Sequence, residues 1–317
     1  RRKPETRNLR IPEEIAMDTS IEVRHISKSY KKVAALTDVS LEIRKGEIFG
    51  LIGPDGSGKT SLFRILTTLT LPDSGSASVN GLDVIRDVSG IRRIIGYMPG
   101  HFALYQDLSV EENLNFYATI FGTTVAENYG TIKEIYSQIE MFKDRRARDL
   151  SGGMKQKLAL CCALVHKPEV LLLDEPTTGV DAVSRREFWE MLKRIKESGV
   201  TIMVSTPYMD EVSRCDRIAM ILDGKIIGQG TPAEIVARYP DRLYSASGEN
   251  MFEILGILRH VDGVLNCSSF GSECHVSVAQ DGPDETVLAK SLEDAGISSC
   301  TVKRISPGIE DCFIRLS

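Results

Sequence analysis

The chain has 317 residues, of which 42% are hydrophobic and 26% charged, and its formal net charge is −5. This length allows a main domain and one additional small domain, and the composition is typical of a soluble globular protein. The acidic balance argues against nucleic acid as the main partner, because phosphate backbones bind clustered cations. No run approaches the roughly 20 apolar residues of a membrane span, and no secretory signal is visible.

Residues 1–19 are expected to form an N-terminal tail. Its basic run RRKPETRNLR is the only marked cluster of cations in the sequence and is typical of a disordered segment. The first residue is Arg and not Met, so the chain is compatible with a piece of a longer polypeptide.

The seven cysteines are odd in number and include no Cys-x-x-Cys pair. Zinc sites and disulfide frameworks need paired, regularly spaced cysteines. The cysteines therefore indicate reduced thiols in the core of a cytosolic protein.

The segment GPDGSGKT, residues 53–60, lies between the apolar run EIFGLI and the helix-like run SLFRIL. Its glycines let the backbone N–H groups curl inward at a helix N-terminus, which suits an anion. Lys59 adds a positive charge for the β- and γ-phosphates, and Thr60 a hydroxyl for Mg²⁺. A surface turn with a solvated lysine is the alternative, but the strand-to-helix context predicts a phosphate-binding P-loop. The predicted nucleotide-binding residues of this loop are Gly53, Pro54, Asp55, Gly56, Ser57, Gly58, Lys59, Thr60 and Ser61.

Two segments further along the chain read as helices. SVEENLNFYATIFG begins with a capping box at Ser109 and Glu112, and its apolar residues follow a helical period. LSGGMKQ, residues 150–156, places Ser151 as N-cap of a second helix whose glycines permit close approach of a phosphate. A simple helix cap is the alternative for this second segment.

VLLLDEP, residues 170–176, predicts a buried parallel strand that ends in two carboxylates. Asp174 is expected to hold Mg²⁺ through water. Glu175 is the candidate catalytic residue that orients or deprotonates the attacking water. Ordinary acids at a strand end are the alternative.

Strand-like and helix-like runs alternate around these motifs, which predicts a layered α/β core. Asn-Gly at 80–81 and Asp-Gly at 223–224 predict hairpin turns, and Pro232 in TPAEIVARY predicts the start of a closing helix. Residues 239–317 then read as strand, helix, strand, strand, helix, strand, the order of a small α+β ferredoxin-like domain. We expect this domain to serve regulation or subunit contact, because it contains no group of catalytic residues.

The motifs, in this order over residues 20–238, resemble the ATP-binding cassette (ABC) family. The resemblance implies a P-loop NTPase fold with a RecA-like core, an antiparallel β subdomain and a helical subdomain at about 98–165, the last pressing against a membrane partner. It implies that Tyr30 stacks on adenine, although a strand-face tyrosine is nearly as well supported locally. It also implies that Asp181, in TTGVDAVSR, communicates across a dimer of cassettes.

In that family the signature sequence of one cassette closes over the nucleotide held by the P-loop of another. The corresponding residues here are Leu150, Ser151, Gly152, Gly153, Met154 and Gln156. The implied cofactors are ATP and Mg²⁺, and the implied partners are a second cassette and a transmembrane permease.

Two positions depart from the family pattern. Gly100 stands where the family has a glutamine, and Pro207 where it has a histidine, so neither side chain can contact the phosphates or the water. A hydrogen bond to a charged group contributes about 1.5–3 kcal/mol, which is about 10- to 150-fold in rate. We therefore expect weakened hydrolysis in a cassette that works opposite a different one, and a homodimer with slow turnover stays open.

The leading functional prediction is the ATPase subunit of an exporter of the drug or polysaccharide type, because LSGGMKQ, STPYMDE and the C-terminal domain look like that branch. Such a subunit is cytoplasmic and peripheral at the inner face of the membrane through its partner. The alternatives are a soluble cassette protein that acts on ribosomes, nucleic acid or an assembly pathway, and a non-hydrolysing nucleotide-binding scaffold.

Overall fold

The computed structural model describes residues 18–101, 103–297 and 299–317. The predicted N-terminal tail lies outside the described residues, apart from its last two. The chain divides into two compact units, with the boundary between Pro232 and Ala233. The sequence placed this boundary at 238/239, after the short helix at 232–237 and not at its beginning.

A six-stranded sheet forms the centre of the first unit, with the order β10-β9-β3-β8-β7-β6. All neighbours are parallel except β10, an antiparallel edge strand. Every residue of β3, β7 and β8 is buried, as expected for parallel strands covered on both faces. The strands are β3 (Ile48–Ile52), β6 (Ile95–Met98), β7 (Val170–Asp174), β8 (Thr201–Thr206), β9 (Arg217–Leu222) and β10 (Lys225–Gly230).

A second, antiparallel sheet in this unit has the order β2-β1-β4-β5. One apolar core cluster contains residues of both sheets and of the helix that follows β3. The predicted hairpin turns at 80–81 and 223–224 are confirmed: they join β4 to β5 and β9 to β10, and all four residues have positive φ. The strands are β1 (Thr19–Tyr30), β2 (Val33–Arg44), β4 (Ser74–Val79) and β5 (Leu82–Asp83).

The predicted helical subdomain corresponds to the segment between β6 and β7. The capping box is confirmed, since the Ser109 hydroxyl accepts from the Glu112 backbone N–H and the Glu112 carboxylate accepts from the Ser109 N–H. Of the three α-helices in this segment, the first two each pack against the third. The helices of the first unit are α1 (Lys59–Leu66), α2 (Val88–Ile94), α3 (Val110–Ile120), α4 (Tyr129–Tyr136), α5 (Gly152–Leu164) and α6 (Ala182–Glu197).

The second unit has the element order that the sequence predicts. Its sheet is antiparallel throughout, with the order β12-β13-β11-β14, and two helices share an apolar core with one face of it. The elements are α7 (Pro232–Ala237), β11 (Arg242–Gly248), α8 (Met251–Leu258), β12 (Val264–Phe270), β13 (Glu273–Val278), α9 (Glu285–Asp294), β14 (Cys300–Ile305) and α10 (Ile309–Leu316). All seven cysteines of the chain are free thiols, and six of them are buried.

Candidate nucleotide-binding site

The loop between β3 and α1 requires glycine at two positions because of close backbone contacts. A Cβ on Gly53 would lie 2.2 Å from the carbonyl oxygen of Ile221, and one on Gly58 would lie 2.3 Å from that of Ala35. Gly58 also has a φ of 105°, which non-glycine residues rarely adopt. The sequence assigned these glycines to phosphate binding alone, whereas the structure shows that they also let the loop pack against its neighbours.

Lys59 lies inside the loop and is only 3% exposed. Its Nζ donates to the carbonyl oxygens of Gly53 (2.7 Å) and Pro54 (2.9 Å) and forms an ion pair with Glu175 Oε1 at 3.1 Å. Burial of an ammonium group is costly unless it is paired, and these three oxygens compensate the charge. The structure thus brings together a predicted phosphate ligand and the predicted catalytic carboxylate, which are far apart in the sequence.

The rest of the loop presents a mixture of exposed and buried groups. Pro54, Asp55, Gly56 and Thr60 are exposed, and Ser61 is partly buried. The Ser57 hydroxyl is buried and has no hydrogen-bond partner in the described part of the chain. A buried polar atom without a partner is rare in folded proteins, and the Ser57 hydroxyl can therefore still form a hydrogen bond with a bound polar group.

The two predicted acids stand at the end of β7. Asp174 is 1% exposed, and its Oδ1 accepts a hydrogen bond of 2.7 Å from the Ser205 hydroxyl. Glu175 has a φ of 50°, and its backbone N–H donates to the same hydroxyl at 2.9 Å. Sequence reasoning missed Ser205, although a hydroxyl at the end of an apolar strand was the available signal.

The signature segment begins α5 as predicted. The Ser151 hydroxyl accepts from the Met154 backbone N–H at 3.4 Å and caps the helix. Leu150 is buried and Ser151 exposed, while Gly153 lies so close to α6 that a Cβ would be 2.9 Å from the Ser184 hydroxyl. A cavity of about 570 Å³ is lined by Gly152 and Gln156 of the signature segment. Gly100, which follows β6, and Glu175, which follows β7, line the same cavity.

Asp181 is the N-cap of α6. Its carboxylate accepts from the backbone N–H groups of Val183 and Ser184, each at 3.0 Å. These hydrogen bonds, with that of Ser184 foremost, lower the pKa of Asp181, so the capping carboxylate is held in its charged form.

Tyr30 ends β1 with 39% of its surface exposed, and the Lys28 ammonium lies 5.6 Å from its ring centroid. An exposed ring face next to a cation can receive a planar, electron-rich group. The geometry is therefore compatible with the predicted role of Tyr30, and a solvent-facing strand residue would have the same exposure.

Comparison with known proteins decides the family. A family model described as ABC transporter matches residues 36–178. The doxorubicin resistance ATP-binding protein DrrA of Mycobacterium tuberculosis (strain ATCC 25618 / H37Rv) is 38% identical over 317 residues, which cover 95% of this chain and 94% of that protein. The chain belongs to the ABC transporter family.

Other relatives of this ABC protein differ in length or sequence. The probable multidrug ABC transporter ATP-binding protein YbhF of Escherichia coli (strain K12) is 40% identical over 70% of this chain, which spans only 39% of that relative. The solved structure of an ATP-binding subunit of an ABC transporter is 28% identical, with a TM-score of 0.64 over 70% of this chain and 93% of that one. The dimeric post-hydrolysis state of the cassette MJ0796 bound to ADP and Pi is 26% identical, with a TM-score of 0.61 over 67% of this chain and 98% of that one.

Gly100 of this ABC cassette lies beside the acids of β7. A Cβ built on it would be 3.0 Å from the Asp174 carbonyl oxygen and 3.7 Å from the Asp174 Cγ. The position expected to carry a glutamine is therefore next to the predicted magnesium ligand, and the backbone there leaves little room for a side chain.

Pro207 follows β8 directly, one strand away from Asp174, which pairs in register with Ser205. The turn at Pro207 is held by Thr206, whose hydroxyl donates to the Glu211 carboxylate at 2.6 Å and accepts from the Tyr208 backbone N–H at 3.0 Å. The histidine position of the cassette is thus built as a rigid turn without a side-chain donor.

Within the described ranges, every helix of this ABC protein is too short or too polar to cross a bilayer.

Proposed function

We propose that this chain binds ATP with Mg²⁺ and hydrolyses it as the ATP-binding subunit of an exporter. The observation that carries the proposal is the 3.1 Å contact between Lys59 and Glu175, which joins the phosphate-binding loop to the carboxylate that activates water. The relatives' names support export: one is named a probable multidrug ABC transporter ATP-binding protein, another a doxorubicin resistance ATP-binding protein, and a third a Nod factor export ATP-binding protein. These names do not favour a soluble cassette that acts on ribosomes or nucleic acid.

The loop and the first turn of α1 hold the triphosphate in this proposal. Backbone N–H groups of the loop bind the phosphates, except at Pro54, which has none. Lys59 exchanges its carbonyl and carboxylate partners for phosphate oxygens, and Tyr30 stacks on the adenine. Glu175 then orients the attacking water and accepts its proton.

The residues fit a magnesium ion. Thr60 offers an exposed hydroxyl, and Asp174 offers the carboxylate oxygen that Ser205 leaves unused, so the donor set is made of the hard oxygens that Mg²⁺ prefers. A bound Mg²⁺ neutralises charge that develops on the phosphates.

A second cassette completes the site. Residues 150–156 contribute from that cassette, and Asp181 lies at the contact between the two. The ADP-bound cassette MJ0796 is a dimer, which supports this arrangement for the family. Because Gly100 and Pro207 remove two side chains, we propose that this chain supplies the weaker of two composite sites.

A transmembrane permease is the further partner. Helix α3 and the segment before it expose aromatic and aliphatic side chains, namely Tyr105 (50%), Phe116 (37%) and Ile120 (60%). Exposed apolar side chains grouped in this way mark a contact surface. Contact with the permease would place the subunit at the cytoplasmic face of the membrane, and no nucleic acid partner is proposed.

We propose a ferredoxin-like domain for the C-terminal unit, with a role in regulation or subunit contact. Its strand order β12-β13-β11-β14 and its alternation of strands and helices support this assignment.

Calorimetry and turnover of the purified chain test the proposed function. We expect ATP to bind in the presence of Mg²⁺, slow turnover that Glu175→Gln abolishes, and loss of binding in Lys59→Ala. Glu197→Gln, which changes an exposed glutamate at the end of α6, is the matched control. Absence of ATP binding would falsify the proposal, and binding without any turnover in the presence of the partner subunits would identify a scaffold instead.

A further inference from the structure

The hydroxyl of Ser205 lies between the two acidic residues of the site. Ser205 is fully buried on β8; its Oγ donates to Asp174 Oδ1 at 2.7 Å and accepts from the Glu175 N–H at 2.9 Å. An amide N–H can only donate, and the hydroxyl has a single proton. That proton therefore goes to Asp174, and the direction of both hydrogen bonds is fixed.

Glu175 needs such support because of its backbone. Its φ of 50° lies in the left-handed region, which a residue with a side chain occupies only when the surroundings hold it there. The Glu175 N–H is shared between the hydroxyl and the carbonyl oxygen of Ser205, the latter at 3.2 Å, and its carbonyl oxygen accepts from the Thr178 N–H at 3.2 Å. Strand β8 thus fixes the direction in which the Glu175 side chain leaves the sheet.

Asp174 is fixed by the same hydroxyl. One of its two oxygens is engaged by Ser205, so the other is the oxygen that can turn toward a cation. Without the hydroxyl, a carboxylate that is 1% exposed would have a free lone pair and a choice of rotamers.

We propose that Ser205 is a positioning residue that couples the magnesium-facing oxygen of Asp174 to the water-facing carboxylate of Glu175. Ser205 does not replace the side chains that are missing at Gly100 and Pro207. Its hydroxyl is the group through which β8 contacts both acidic residues. This inference rests on the roles of Asp174 and Glu175 in the proposed function.

Ser205→Ala and Thr201→Val form a matched pair on one strand. Thr201 is 2% exposed at the opposite end of β8, where its hydroxyl accepts from the Gly46 N–H at 3.0 Å. Both variants remove one buried hydroxyl and its hydrogen bonding from β8, and only the first touches the acids. Ser205→Thr keeps the hydroxyl and serves as the conservative variant.

The experiment measures turnover and, separately, the Mg²⁺ dependence of binding of a non-hydrolysable ATP analogue by calorimetry. Ser205→Ala is expected to lower kcat by roughly 10-fold or more, the effect of losing a hydrogen bond to a charged group, with KM for ATP within about twofold. The Mg²⁺ concentration that half-restores analogue binding should rise several-fold. Thr201→Val should leave both quantities unchanged, and Ser205→Thr should restore most of each.

A merely structural role predicts another pattern. If Ser205→Ala and Thr201→Val lose activity alike, in proportion to their loss of Tm and with unchanged Mg²⁺ dependence, the positioning role is wrong. Should Ser205→Ala fail to fold, Ser205→Val takes its place, since it matches Ser205→Thr in shape and has no donor, and wild-type Mg²⁺ dependence in that variant overturns the inference. Full turnover of Glu175→Gln would refute the proposed function itself, a result distinct from either outcome for Ser205.

Discussion

Two pairs of strand ends meet at the candidate site, and they are built in different ways. The ends of β3 and β7 are constrained from several sides: a Cβ on Gly53 or Gly58 would clash with a backbone carbonyl oxygen, and Lys59 is buried among three oxygens. The ends of β6 and β8 carry Gly100 and Pro207, which offer no side-chain donor. The comparison teaches that the proposed nucleotide-binding loop is tied to the packing of the fold, whereas the strand ends at Gly100 and Pro207 are formed without the side chains expected to assist hydrolysis.

The largest effect should come from Gly58→Ala. The new Cβ would meet the Ala35 carbonyl oxygen at 2.3 Å at a φ of 105°, and backbone strain of about 1–3 kcal/mol adds to the clash. We expect nucleotide affinity to fall about 100-fold or more in calorimetry. Gly46→Ala is the control, since Gly46 also has positive φ but nothing lies within 4 Å of its Cβ, and equal loss of affinity there would contradict the packing argument.

A donor side chain at position 207 or 100, at the ends of β8 and β6, should increase turnover. Pro207→His adds a donor one strand from Asp174, and we expect kcat to rise by about 10- to 150-fold if the missing group limits hydrolysis. Pro207→Ala removes the ring and, like Pro207→His, adds a backbone N–H, but it adds no side-chain donor and should change little. Equal gains in both variants would assign the effect to loss of the proline ring.

Gly100→Gln should increase kcat less than Pro207→His, because its Cβ would lie 3.0 Å from the Asp174 carbonyl oxygen.

Two variants of Asp181 distinguish a role in capping α6 from a role in communication between cassettes. Asp181→Ala removes the cap of α6 and should lower Tm by roughly 2–4 °C, whereas Asp181→Asn keeps a good cap and the melting temperature. If the carboxylate charge acts between cassettes, both variants should weaken nucleotide-dependent dimerisation, measured by light scattering. Wild-type dimerisation of Asp181→Asn would leave only the capping role.

The smallest effect concerns His166, which stacks on Phe121 with ring centroids 3.7 Å apart. Burial lowers the pKa of His166 below its ordinary value of 6.5, so near and below pH 6.5 the unfolded chain binds more protons than the folded one. The resulting stability is fully present above pH 6.5 and is lost as the pH falls toward the folded pKa. His166→Gln should therefore lose less thermal stability between pH 7 and pH 5.5 than the wild type, and an identical pH profile would contradict this.

Local signals allowed much of this molecule to be predicted. The hairpin turns, the capping box at Ser109, the cap at Ser151 and the buried strand before Asp174 each depend on residues close together in sequence. The element order of the C-terminal unit was equally accessible, because helical and strand periods differ.

Contacts between distant segments could not be predicted in the same way. Ser205 and Asp174 are 31 positions apart, and their contact depends on the pairing of β7 with β8. The packing of Gly58 against Ala35 likewise requires knowing that the antiparallel sheet lies beside the loop. The division between the two compact units falls inside α7, after Pro232, whereas the sequence pattern assigns this helix to the end of the cassette.

The ion pair between Lys59 and Glu175 gives the site a built-in order of events. In the proposed function, an arriving triphosphate competes for Lys59, and the Glu175 carboxylate then loses its counter-charge and keeps the 3.4 Å hydrogen bond from the Thr178 hydroxyl. The residue that we propose to activate the water would thus be released by the same encounter that delivers the bond to be broken, and without nucleotide the ion pair restrains it.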